Sequence, residues 1–81
     1  MVNVRTSEEF ERILNKIDKS LKIQIDKQID KIISNPEVGK PMRNIRKGTR
    51  ELYISPFRLS YKYHIEKDIV KILDLYHKKK Q

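Results

Sequence analysis

The side chains of this sequence that could do chemistry are cationic or titratable, and most of them fall after residue 34. Residues 35–81 hold twelve Lys/Arg against five acids, a net +7, whereas residues 1–34 hold seven against six, a net +1. Charge that large and that lopsided suits a polyanion such as nucleic acid. A surface built only for solubility would mix the two signs, as the first 34 residues do. Lys40, Arg43, Arg46 and Lys47 lie in a segment punctuated by Pro36, Gly39, Pro41 and Gly48, and His77, Lys78, Lys79 and Lys80 form a basic tail. Between them Phe57, Leu59, Tyr61, Tyr63 and Ile65 alternate with Arg58, Ser60, Lys62 and His64. That period of two places Arg58 and Lys62 on the polar face of a strand. The two histidines carry the ionisation best suited to proton transfer near neutral pH. His64, beside a turn, reads as a surface residue.

Composition removes other chemistries. There is no cysteine, so disulfides, thiolate zinc sites and thiol nucleophiles are excluded. Two histidines do not make a metal cage, and neither a metal nor a cofactor is expected. Met1-Val2-Asn3-Val4-Arg5 runs directly into acidic residues without an apolar signal core, and no apolar run approaches the roughly 20 residues of a membrane span. The expectation is a cytoplasmic protein with one domain over residues 1–81. A domain of this size buries only about 60% of its unfolded surface, which leaves room for a partner protein to add stability.

The elements that must position the basic residues follow from periodicity. Val2-Asn3-Val4-Arg5 alternates like a short edge strand. Thr6 with Glu9 reads as a capping box, opening a helix whose stripe is Phe10, Ile13, Leu14 and Ile17. After a break at Asp18-Lys19-Ser20, a second stripe runs through Leu21, Ile25, Ile29, Ile32 and Ile33, with Ile23 off it. Asn35-Pro36 stops this helix, and residues 35–49 read as a loop. Glu51-Leu52-Tyr53-Ile54 is a strand and Ser55-Pro56 a turn. The alternating strand follows, turned by Glu66-Lys67-Asp68 into a third strand over residues 69–76 that is apolar on both faces and therefore interior. The fold class is α+β: two N-terminal helices packed on one face of a small, mainly antiparallel sheet, in the order β-α-α-β-β-β, with the other face open and basic.

This order, with Asn35-Pro36-Glu37-Val38-Gly39-Lys40-Pro41, Gly48-Thr49-Arg50-Glu51-Leu52, Pro56-Phe57-Arg58-Leu59-Ser60-Tyr61 and the run from Ile69 through Tyr76-His77-Lys78, resembles the RelE/ParE toxin family over nearly the whole chain. The resemblance implies a toxin of a type II toxin–antitoxin pair, neutralised by a cognate antitoxin protein. Its RelE branch acts as an mRNA interferase, a ribosome-dependent endoribonuclease that inhibits translation through attack of a 2′-hydroxyl on the adjacent phosphate. Its ParE branch poisons DNA gyrase instead, and a non-catalytic nucleic-acid-binding member is a third possibility. By the resemblance, Arg58 faces the scissile phosphate, His77 is a proton-transfer candidate, and Lys78 is a second basic group. Each also has a plainer reading: a solvent-facing strand arginine, a structural hydrogen bond, a surface lysine. Arg43, Arg46, Lys47, Arg50, Lys62, Lys79 and Lys80 are the expected RNA contacts, with Arg50 equally readable as a sheet-edge charge. The sequence departs from RelE in lacking the catalytic tyrosine and helix beyond the last strand. Ile23 and Val38 are left over as candidate antitoxin contacts.

Overall fold

A computed structural model describes residues 1–80, with the side chain of Lys80 and all of Gln81 outside the description. The chain runs β1 (Asn3–Thr6), α1 (Glu8–Leu14), α2 (Lys19–Ser34), β2 (Lys40–Pro41), β3 (Arg50–Ile54), β4 (Phe57–His64) and β5 (Ile69–His77). The five strands form one sheet in the order β1-β5-β4-β3-β2, parallel between β1 and β5 and antiparallel elsewhere. Both helices cover one face. Phe10, Ile25 and Ile32 meet Leu59, Tyr61, Val70, Ile72 and Leu75 in a core from which water is excluded. β5 does lie inside the sheet, between β1 and β4, but it is not apolar on both faces as expected: Val70, Ile72 and Leu75 face the helices, while Lys71, Asp74 and Tyr76 stand on the open face. Among the described residues no helix is long and apolar enough to cross a membrane.

The helices start where local hydrogen bonding allows. The cap of α1 is Ser7 and not Thr6, because Thr6 is held in β1 opposite Ile72 and its hydroxyl donates to Glu11. Glu9 pairs with Arg12 rather than closing a capping box. Ser7 Oγ accepts from Phe10 N at 3.0 Å and donates to the Leu73 carbonyl at 2.6 Å. Its own N–H donates to the Ile72 carbonyl. For α2 the break falls at residues 15–18, and Asp18 is the cap, accepting from Leu21 N at 2.8 Å. Asn35 ends the helix as expected.

Two further departures concern the sheet. The expected loop over residues 35–49 contains β2, whose Lys40 and Pro41 pair with Glu51 and Arg50, and a 3-10 turn at Asn44–Arg46. A proline in a two-residue strand hides this element from periodicity, and an edge strand tolerates it. Ile65 leaves β4 for a 3-10 turn over Ile65–Lys67 and is exposed, because the chain must reverse into left-handed Asp68 (φ 53°).

The third feature is an irregularity in the β4–β5 ladder. Ser60 faces Asp74 but Tyr61 faces Ile72, so Leu73 is an extra residue. Such a bulge flips the side-chain alternation beyond it. Before the bulge, Val70 and Ile72 point to the helices and Lys71 to the open face; after it, Leu75 points to the helices and Tyr76 to the open face.

The segment between α2 and β2 is clamped from the helix side. Tyr61 Oη accepts from Gly39 N and donates to the Pro36 carbonyl, both at 2.8 Å. The ring lies so close that a Cβ on Gly39 would stand 2.7 Å from it, so only glycine fits. Arg50 Nη1 donates to the carbonyls of Glu37 and Gly39 at 3.0 and 2.8 Å.

Ser7→Ala removes a cap and the bulge's side-chain partner, and is expected to lower unfolding free energy by about 1–2 kcal/mol in urea titration. Burial holds the Tyr61 phenol above its ordinary value, against the opposing pull of the Gly39 N–H. The neutral form is therefore favoured in the folded state, and its contribution is complete below the unfolded value of about 10 and lost as pH rises past it. The difference in stability between wild type and Tyr61→Phe should accordingly shrink above about pH 10, read by denaturation at stepped pH.

Candidate functional site

On the open face, one acid organises the cations. Glu51 sits on β3 with its side chain wholly shielded from solvent. The Tyr76 hydroxyl lies 2.7 and 2.6 Å from its two carboxylate oxygens. Register places Tyr76 opposite Arg58 and Glu51 opposite Ser60, so this bond spans β4, and the small, buried Ser60 leaves room beneath it. Arg46 Nη1 stands 3.6 Å and Arg58 Nη1 3.9 Å from the same carboxylate. Arg46 also stacks its guanidinium 4.2 Å above the Tyr76 ring, an attraction between a cation and the negative face of the ring.

Tyr53, opposite Arg58 on β3, is half-exposed, with Arg58 6.0 Å and Lys78 Nζ 5.6 Å from its ring centre. Arg58 itself is mostly covered, yet its side chain makes no hydrogen bond among the described residues, and its Nε is buried without a partner. The result is an aromatic floor flanked by two cations, Lys78 and Arg58, the second with unspent donors. Such a surface can hold a phosphate with a base stacked next to it.

The structure brings Arg58, Lys78 and Arg46 together. Lys78 is fixed by its N–H donating to the Pro56 carbonyl at 3.0 Å. His77 is placed elsewhere: it is paired with Phe57, its ring stands edge-on to that phenyl at 5.7 Å, and Phe57 packs on the core side of the sheet. His77 Nδ1 accepts the Lys79 N–H at 3.2 Å. Arg50 also departs from the expected basic face, since it points to the helix side, spends its donors on the clamped segment and pairs with Glu37 at 3.6 Å. Arg43 and Lys47 are exposed on either side of the 3-10 turn, Arg43 lining an open hollow of about 860 Å³ with Lys40, Met42 and Ile45. Lys62 lies on the open face farther along β4, Lys79 is exposed beyond β5, and the Lys80 side chain lies outside the described residues.

Sequence reasoning missed Glu51, Tyr53 and Tyr76 as parts of this site. The available signal was an acid between Arg50 and Arg58 in an otherwise basic half. Glu51→Ala should destabilise by about 1–3 kcal/mol, the cost of leaving the Tyr76 hydroxyl without its buried acceptor. Glu51→Gln, which keeps an acceptor, should lose less; paired denaturation curves check the order.

A family model described as the ParE toxin of type II toxin–antitoxin systems, parDE, matches residues 4–81. No curated protein sequence matches the chain. Among solved structures, the toxin–antitoxin complex RelBE2 from Mycobacterium tuberculosis is similar at TM-score 0.82 and 26% identity, covering 95% of this chain and 98% of that one. The intact Escherichia coli RelBE complex matches at TM-score 0.83 and 15% identity, over 95% and 96% of the two chains. The isolated E. coli RelE toxin matches at 0.82 and 16%, over 95% and 84%. The E. coli likenesses, at that identity, bear on the fold. With a model match from residue 4 to 81 and the same two helices on a mixed five-stranded sheet, the chain belongs to the RelE/ParE family of type II toxin–antitoxin toxins.

Proposed function

We propose that this toxin is an mRNA interferase that cleaves mRNA on the ribosome, using the open sheet face to contact RNA. Arg58 carries the reading. It is mostly covered, its nearest acid at 3.9 Å is beyond hydrogen-bond reach, and its Nε is buried without a partner. Desolvated donors left unspent cost stability, and a phosphate satisfies a guanidinium fork better than any group now near it.

In the proposed reaction the 2′-hydroxyl loses its proton to water as its oxygen bonds to the adjacent phosphorus, giving a 2′,3′-cyclic phosphate, and the bond to the 5′-oxygen breaks with that oxygen taking a proton from Lys78 or Tyr76. Arg58 and Lys78 stabilise the charge growing on the non-bridging oxygens. Arg43, Arg46, Lys47, Lys62, Lys79 and Lys80 hold flanking phosphates, and Arg50 serves by fixing the segment before β2. The groups near Arg58 with a proton to exchange are Lys78 and Tyr76, the latter bonded to Glu51. His77, on the Phe57 side, contributes by anchoring the turn that presents Lys78.

The RelBE and RelBE2 structures are complexes of toxin with antitoxin, which supports a cognate antitoxin for this chain as well. Ile23 and Val38 are exposed apolar side chains available to it. The description of the matching family model, a parDE toxin, favours a second reading, gyrase inhibition through protein contact.

Induced expression of wild type beside Arg58→Ala, with mapping of mRNA 3′ ends on ribosomes, separates the two. Cleavage predicts new 3′ ends in wild type and a loss on the order of 10²–10³-fold in Arg58→Ala. Full toxicity of the variant with intact mRNA and a DNA-damage response would favour gyrase and overturn the proposal.

A further inference from the structure

A second group of cations on the open face has no counterpart in the site around Glu51. Arg5 on β1 is paired with Lys71 on β5, and Lys71 with Lys62 on β4. All three side chains lie on the same face: their neighbours Val4, Val70 and Tyr63 pack toward the helices, and alternation sends these three the other way. They form a row across three adjacent strands, with neighbours about 4.8 Å apart in backbone spacing. Among the described residues none of the three makes a salt bridge or side-chain hydrogen bond. The acid nearest along this face of β5, Asp74, turns Oδ1 to the N–H of Leu75.

Like charges directly opposite on neighbouring strands are destabilising. A sheet that keeps three in a row, with no acid among them, is strained electrostatically in the free protein. An anion laid across the row relieves it. Lys62 shares β4 and its open face with Arg58, four residues away and therefore roughly 13 Å along the strand. A single strand of nucleic acid with one phosphate at Arg58 and its chain following β4 passes over the row.

We infer that Arg5, Lys62 and Lys71 form a phosphate-binding strip that holds the RNA backbone at a distance from the reacting phosphate. The inference rests on the RNA reading above, and names where the strand continues. The strip contributes affinity without base recognition, so its effect falls steeply with salt.

The test uses a 2′-O-methyl RNA oligonucleotide, which binds without being cleaved, and fluorescence anisotropy over a salt series. Each phosphate neutralised on a single strand contributes about 0.7 to the slope of log affinity against log salt. The triple variant Arg5→Gln, Lys62→Gln, Lys71→Gln should therefore lower that slope by about 2. The same variant should melt at a temperature equal to or above wild type at low salt, because repulsion is removed. Lys62→Arg with Lys71→Arg should keep the wild-type slope. An unchanged slope in the triple variant overturns the inference, as does a lower melting temperature, which would show that the row is held by contacts within the fold. Loss of affinity for an acidic antitoxin peptide with the RNA slope unchanged also overturns it and assigns the strip to the protein partner. Arg58→Ala in the expression assay keeps the two claims apart: its full toxicity there defeats cleavage, while the slope difference between wild type and the triple variant on the oligonucleotide stands on its own.

Discussion

The extra residue in β5 determines what each face of this protein can do. Were the β4–β5 ladder regular, Lys71 on the open face would put Leu75 and His77 there too, and Asp74 and Tyr76 would point into the helices. Inserting Leu73 exchanges them. Leu75 completes the core, Tyr76 reaches Glu51 across β4, and His77 is turned to Phe57. Ser7 secures the irregular backbone, binding the Leu73 carbonyl through its hydroxyl and the Ile72 carbonyl through its N–H. The start of the first helix and the twist of the last strand are thus one structure.

Glu51 follows from the bulge. A carboxylate shielded from water needs hydrogen bonds and countercharge, and Tyr76 with Arg46 and Arg58 supply them. The arrangement is asymmetric. Tyr76 satisfies the acid at short range, while the arginines stand back at 3.6 and 3.9 Å and keep their donors. One acid therefore gathers two arginines at a chosen point of a basic surface without taking up their hydrogen-bond donors.

Much of this was legible in the sequence. The stripe of α2, that of α1 as far as Leu14 (Ile17 falls in the break after it), the stop at Asn35-Pro36 and the alternation through Tyr63 are written in side-chain polarity, and the fold class follows from them. What escaped has no such signature. Leu73 is one more apolar residue in an apolar run, and a register change leaves no compositional trace. Ser7 and Thr6 are both good caps, and only the pairing of Thr6 with Ile72 decides between them. The expected grouping of Arg58 with Lys78 needed only strand order. The placement of His77 and the partners of Glu51 needed the bulge, and Arg50 needed knowledge of which segment lies over it.

The parallel pairing of β1 with β5 has a consequence for how the protein comes into being. Ser7 and Leu73 are 66 residues apart in sequence, and β1 is an edge strand whose neighbour in the sheet is β5. At a synthesis rate of about 5–20 residues per second, the first strand waits roughly 3–13 s for the strand that receives it. Glu51, made within that interval, has no Tyr76 above it until β5 follows, and the open face is unassembled until then.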